Sequence, residues 1–332
     1  MKRREFIGLI GGAAAAWPLA ARAQQPSKMK RIAMVHPADK VGNMTISGRP
    51  AFRVFFEEMN RLGYVEGQNL VVERYSGEGQ TDRYTQLAQD VVSTHPDLII
   101  VIAIAAQFKL ATTTIPIVTT SSDPIVAGLV PSLARPGGNI TGVSVDAGIQ
   151  IWGKRLGLLV EATPKHANTR FLSSQPAWER FEASAVREAA SQASISLAGA
   201  LLTDPLNEAA YQRVFTSMEQ ERVDTLVVSS EAEHLAHRVT LVELAAKSRI
   251  PTIYPFREFV DIGGLMAYSV DLEDTFRRIA NTVDKILRGA NPGDIPFFQQ
   301  TKFELIVNLK TARALGLEMP AALVARADEA IE

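Results

Sequence analysis

Apolar residues along this chain fall into two alternating patterns: short continuous runs and stripes at helical spacing. The runs at 31–36, 70–75, 97–105, 115–119 and 139–143 read as strands, the longer ones covered on both faces. Between them, Phe52, Phe55, Phe56, Met59 and Leu62 recur on one helical side, as do Tyr84, Leu87, Ala88, Val91 and Val92. Gly63 is placed to end the first of these helices. A second series starts near residue 150: helix 150–162, strand 169–173, helix 177–194, strand 195–201, strand 223–229, helix 232–248, and strands 251–254 and 264–269. Within it, Asp204-Pro205 reads as the N-cap and first residue of a helix carrying Tyr211, Val214, Phe215 and Met218 inward. Asp271 caps a further helix, with Glu273 and Asp274 in its first turn, Phe276, Ile279, Ala280, Val283 and Ile286 facing inward, and Gly289 at its end. Strand 303–309 and a helical region close the chain. The alternation predicts an α/β protein with doubly wound parallel sheets, and the length suffices for two lobes with a cleft at their strand ends.

The first residues change the picture. Met1-Lys2-Arg3-Arg4 is a basic start, Gly8 to Ala21 is a weakly apolar stretch broken at Pro18, and Ala21-Arg22-Ala23 has the form of a cleavage site. Paired arginines with Phe6 two residues on fit a twin-arginine signal, so residues 1–23 are expected to direct export to the periplasm. Gly8-Leu9-Ile10-Gly11-Gly12 is no dinucleotide loop, since no strand precedes it. The chain has no cysteine, which excludes disulfides, thiolate metal sites and a lipidated N-terminal Cys. A formal net charge of −1 gives no basic surface for nucleic acid. No P-loop, glycine-flanked nucleophilic serine or zinc-protease helix is present, so neither enzyme nor cofactor is expected.

Candidate chemistry sits at strand ends. Thr119, Thr120, Ser121, Ser122 and Asp123, before Pro124, either start a helix or offer hydroxyls and backbone N–H groups to a carboxylate. Ser173, Ser174 and Gln175 follow one strand of the second series, and Ser229, Ser230 and Glu231 another; Glu231 is the partner expected for an ammonium group, though for any single residue an N-cap is the better reading and only the loops together point to binding. His36 ends the first strand, as ligand contact or as structural residue. Trp178, Tyr254 and Phe256 either sandwich an aromatic ligand or pack between lobes. Glu231, Glu233, His234 and His237 make too loose a set for zinc, and a solvated helix face is the better reading.

Three stretches carry a resemblance: Tyr64-Val65-Glu66-Gly67-Gln68-Asn69, Ala111-Thr112-Thr113-Thr114-Ile115-Pro116-Ile117-Val118, and Arg135-Pro136-Gly137-Gly138-Asn139-Ile140-Thr141-Gly142-Val143. Phe256-Arg257-Glu258-Phe259, Lys302-Phe303-Glu304-Leu305 and Asn308-Leu309-Lys310-Thr311-Ala312 extend it. By these the chain resembles the ABC-transporter substrate-binding proteins related to the tryptophan/tyrosine uptake type. The resemblance implies a type I periplasmic-binding fold, with residues 28–143 plus 271–332 forming one lobe, 144–270 the other, and three crossovers as hinge. It implies a monomer that carries a small molecule, an amino acid or aromatic carboxylate, to an ABC permease of the inner membrane. Ile104-Ala105-Ala106-Gln107-Phe108 departs from the family, which usually carries a small hydroxyl residue in a longer loop there. A sensor docking a membrane receptor and a two-lobed periplasmic enzyme are the alternatives.

Overall fold

The computed structural model describes residues 29–146, 150–164, 168–179 and 181–332; the expected export signal lies outside them. Five strands come first: β1 (Lys30–His36), β2 (Leu70–Ser76), β3 (Leu98–Ile102), β4 (Ile117–Ser121) and β5 (Ile140–Ser144). They pair in parallel, in the order β5-β4-β3-β1-β2. All five residues of β3 are buried, as befits an unbroken Leu-Ile-Ile-Val-Ile run with helices on both faces. The connecting helices are α1 (Pro50–Arg61), α2 (Tyr84–Ser93) and α3 (Ala105–Ala111). The backbone at Gly63 is left-handed (φ 94°), a conformation open to glycine at no steric cost, and it lies just past the end of α1.

The second sheet holds β6 (Asn168–Ser174), β7 (Ser196–Leu202), β8 (Thr225–Val228), β9 (Thr252–Tyr254) and β10 (Met266–Ser269), again parallel, in the order β10-β9-β8-β6-β7. Its helices are α4 (Gln150–Ala162), α5 (Gln175–Trp178), α6 (Phe181–Gln192), α7 (Glu208–Gln220), α8 (Ala232–Ala236), α9 (Arg238–Lys247) and α10 (Arg257–Val260). The chain then returns to the first lobe through α11 (Leu272–Leu287), whose Phe276 meets Phe52 of α1 edge-on at 5.1 Å. A short strand, β11 (Phe298–Gln299), pairs with β5.

From here the chain departs from expectation. The resemblance assigns everything from 271 to the first lobe, yet β12 (Glu304–Asn308) runs antiparallel to β10 and β13 (Glu329–Ile331) pairs with β12, so both belong to the second sheet. The reason is burial: Leu305 and Val307 pack into one core cluster and Ile306 into the other, a two-faced demand that the open edge beside β10 meets. Helices α12 (Leu309–Leu315) and α13 (Ala321–Ala325) complete this lobe. Between described strands the chain therefore changes sheet three times, after β5, β10 and β11.

Two local expectations also shift. The helix expected to start at Pro205 starts at Glu208, because Asn207 supplies the cap by accepting from the Ala210 N–H, and the Asp204–Pro205 bond is cis. The helix expected over 232–248 breaks at His237 into α8 and α9.

Contacts tie the lobes directly. The Leu206 N–H donates to the Gly79 carbonyl at 3.0 Å, and the Thr81 hydroxyl donates to Asp204. The buried Tyr84 hydroxyl donates to Glu233 Oε1 at 2.7 Å. Among the described residues no helix is long and apolar enough to cross a membrane.

Gly142 shows how tightly the first sheet is built beside the cleft: a Cβ there would run into the Thr119 backbone on β4. Gly142→Ala is expected to lower stability by about 1–3 kcal/mol, since only a shift of the β4–β5 pairing makes room. Urea unfolding checks this; an unchanged midpoint would show that the strands yield freely.

Candidate functional site

Strand ends of both sheets open onto one cavity of about 590 Å³. That volume lies inside the range of about 300–1,000 Å³ usual for small-molecule sites. From the first lobe come His36 after β1, Ile102 and Gln107 after β3, Thr120 to Asp123 at the end of β4, and Asp146 after β5. From the second come Ser174 after β6, Ser230, Glu231 and Glu233 after β8, and Phe256 after β9. This is the crevice at the carboxyl ends of parallel strands, where the first turns of helices leave backbone groups free. Trp152, Phe256 and Phe276 supply aromatic wall, and Ile104, Leu129, Leu235 and Leu272 the aliphatic part.

Of the residues singled out in the sequence, His36, Thr120, Ser121, Ser122, Asp123, Ser174, Ser230, Glu231 and Phe256 line this cavity together. Four do not. Ser173 is wholly buried, because strand alternation sends it to the face opposite Ser174. The Gln175 amide donates to Glu179 on the exposed side of α5. Trp178 leans on Phe171 with ring centroids 6.1 Å apart and carries the Arg187 guanidinium over its face. Tyr254 is 1% exposed and stacks on Phe259 at 4.8 Å inside the second core. An aromatic residue ending a buried strand fills the core before it can reach a cleft.

The geometry separates residues that organise the site from residues free to bind. Nδ1 of His36 accepts from the backbone N–H groups of Ala38 and Asp39, at 3.2 and 2.8 Å. Burial pushes this imidazole down to about 3, so it is a neutral brace for the turn after β1. Asp123 Oδ1 accepts from the N–H groups of Ile125 and Val126, both at 3.0 Å, the capping role. Thr120 accepts from Ala103 N–H at 3.3 Å through its hydroxyl oxygen, which leaves its O–H proton to donate.

Glu231 is the fixed negative charge. Its Oε1 accepts from the Ser174 hydroxyl at 2.5 Å, and its Oε2 from the Ser174 N–H at 2.9 Å and the Ser229 hydroxyl at 2.7 Å. Burial opposes ionisation here, but the bonds from the His234 ring, Ser174 and Ser229 outweigh it and hold the carboxyl at about 2. Its neighbour Glu233 is driven the other way, upward, by burial and by the charge on Glu231. Both ring nitrogens of His234 are engaged, with Tyr211 at 2.8 Å and Ser229 at 2.9 Å, which removes it as a metal ligand.

Sequence reasoning missed the cleft floor. Asp146 and Arg155, 2% and 1% exposed, form an ion pair at 3.3 Å, and Arg155 also donates to the carbonyls of Tyr268 and Pro255 and to Ser230. Its guanidinium lies 4.7 Å from the Trp152 ring centroid. A signal was present: Arg155 follows Trp152 by three residues on the inward side of α4, where a charge demands a partner. Arg49, Arg238 and Glu258 also line the cavity, and no binding motif in the sequence marks them.

The family model for ABC transporter substrate binding protein matches residues 51–331. A tyrosine-binding protein of Clostridioides difficile (strain R20291) is 26% identical over 270 residues, covering 80% of this chain and 76% of that protein. Among solved structures, a conserved domain protein from Vibrio cholerae superposes with a TM-score of 0.78 at 23% identity, covering 91% of this chain and all of that one. An ABC domain from Streptococcus pneumonia in complex with L-Trp gives a TM-score of 0.74 at 22% identity, covering 91% of this chain and 99% of that one. Two parallel-dominated α/β sheets with a shared cleft are thus the type I periplasmic-binding fold, and the chain belongs to the ABC transporter substrate-binding protein family.

Proposed function

We propose that this protein captures a small organic solute, an aromatic amino acid or a close aromatic carboxylate, in the periplasm and delivers it to an ABC permease of the inner membrane. The observation that carries the reading is Glu231: a buried carboxylate kept ionised, in a cavity whose opposite wall presents the hydroxyls of Thr120 and Ser121. A fixed anion in an otherwise largely apolar cavity favours a ligand bringing a cation, and an ammonium satisfies it. The hydroxyls at the end of β4 suit the carboxylate of the same α-carbon. Trp152, Phe256 and Phe276 give a ring an apolar, aromatic enclosure. Tyrosine binding by the Clostridioides difficile relative and the L-Trp held by the Streptococcus structure support the same class. The lobes work by closing on the ligand, a hinge motion driven by the ligand's greater affinity for the closed state.

The test is a thermal-shift panel of the purified protein with L-tyrosine, L-tryptophan, L-phenylalanine, indole acids and sugars, followed by calorimetry. At ligand concentrations about 100 times Kd, binding adds about 2.7 kcal/mol of stability, a shift of several degrees. Glu231→Gln is expected to weaken an amino acid at least tenfold while weakening a des-amino acid far less. Tight binding of a sugar with no response to any amino acid or aromatic acid would overturn the reading.

A further inference from the structure

The cavity has a second charged end. Arg49 precedes α1 in the first lobe, and Arg238 heads α9 in the second; both line the cavity with Glu258 of α10. Arg49 is paired to Asp39, its guanidinium lies 5.4 Å from the Phe52 ring centroid, and its Nε has no hydrogen-bond partner. Arg238 spends one N–H on the Leu235 carbonyl at 3.2 Å and makes no ion pair among the described residues. Glu258 Oε2 is buried and unpartnered. With Asp39 offsetting Arg49, the balance at this end is positive whenever Glu258 holds a proton.

The two ends rest on different elements. Glu231 stands at the start of α8 and Arg238 at the start of α9, seven residues on. The helix breaks at His237 between them, so each side chain leaves the backbone in its own direction. An α-ammonium and its carboxylate share one carbon, so the Glu231 end takes both. The arginines are left for whatever the far end of the ligand carries.

We infer that Arg49 and Arg238, one from each lobe, form a subsite for an anionic group at the distal end of the ligand, so that the cleft selects an amino acid whose ring or chain ends in a carboxylate. This rests on the amino-acid reading above and sharpens it. Because each lobe contributes one arginine, the subsite is complete only in the closed state, and a distal anion therefore favours closure. Glu258 makes it sensitive to pH. Burial pushes this carboxyl up to about 7; Arg49 and Arg238 face it and lower it, while Asp261 on its own helix raises it. Above that pH its charge competes with the ligand for the same guanidinium groups.

Calorimetry with L-phenylalanine, L-tyrosine and L-4-carboxyphenylalanine tests this, on the wild type, Arg238→Gln and Glu258→Gln, at pH 6 and pH 8. The carboxylated analogue is expected to bind at least tenfold tighter than phenylalanine at pH 6, with a smaller ratio at pH 8. Arg238→Gln should cut that ratio at least tenfold, and Glu258→Gln should make it independent of pH. Equal affinity for phenylalanine and its carboxylated analogue, or a preference untouched by Arg238→Gln, overturns the subsite and leaves the amino-acid reading standing. Failure of all three ligands overturns both.

Discussion

Arg155→Met is expected to destabilise the protein by about 3–5 kcal/mol, because it strands a buried carboxylate without its cation. Asp146 is 2% exposed, and its other oxygen already lacks a hydrogen-bond partner. The loss extends beyond the pair, since Arg155 joins the carbonyls of Pro255 and Tyr268 to Ser230 on the cavity wall. The reverse substitution is milder. Asp146→Asn leaves the guanidinium buried and charged, but its bonds to the Tyr268 and Pro255 carbonyls and to Ser230 remain. The site meanwhile gives up a carboxylate that burial already disfavours. The double variant should recover much of the single loss, as apolar replacement of a whole buried pair often does. In Arg155→Met the lone carboxyl of Asp146 rises further. A group raised in the folded state stabilises at low pH and loses that contribution as pH climbs, so the defect should be larger at pH 8 than at pH 5. Urea midpoints for the four proteins of this cycle decide it; equal costs for both single variants would refute the asymmetry.

Acid is expected to remove about 5 kcal/mol of stability through His36 alone. Its imidazole falls from the ordinary 6.5 to about 3 on folding. A group depressed in the folded state stabilises above its unfolded value and loses that contribution as pH falls toward the folded one, here between 6.5 and about 3. Glu231, held at about 2, acts in the same direction below 4.5. Glu258 acts against them: raised to about 7, it stabilises below 4.5 and loses the contribution as pH rises to 7. It keeps some contact with solvent, so its share is on the order of 2 kcal/mol rather than the full shift. Glu233 and Asp146, also raised by burial, act with Glu258 against His36, so the fall is unopposed only below about 3.8. His36→Asn keeps an acceptor for the Asp39 N–H and cannot ionise there. The stability of the wild type relative to this variant should shrink steadily with acid, and parallel curves from pH 3.5 to 8 would sink the assignment.

The two-sheet architecture was legible because its strands are unbroken apolar runs and its helices carry apolar stripes, as with Phe52, Phe55, Phe56 and Met59 on α1. The polar strand ends were legible for a related reason: a parallel sheet collects its carboxyl ends on one side, so the serines after β6 and β8 had to meet the hydroxyls after β4. What pattern does not carry is the choice of partner. Leu305-Ile306-Val307 demands burial on both faces, and nothing in that demand names a sheet. Ser173 and Ser174 are chemically alike, and only the direction of the strand separates core from cleft. Tyr254 and Phe256 look equivalent as aromatic ligand contacts until Phe259 is found stacked on the first. The arginines were overlooked because a charged residue at a helix start is ordinarily solvated, and their cavity exists only where two lobes meet.

The bonds that Tyr84, Thr81 and Gly79 make across to Glu233, Asp204 and Leu206 involve no ligand atom. They hold the jaws with a grip of their own, and a guest need supply only the remainder. That sets a bound on signalling: the stronger this intrinsic grip, the less the closed population depends on whether a guest is inside. Weakening it, as Tyr84→Phe would, should speed exchange and tie closure more closely to the guest.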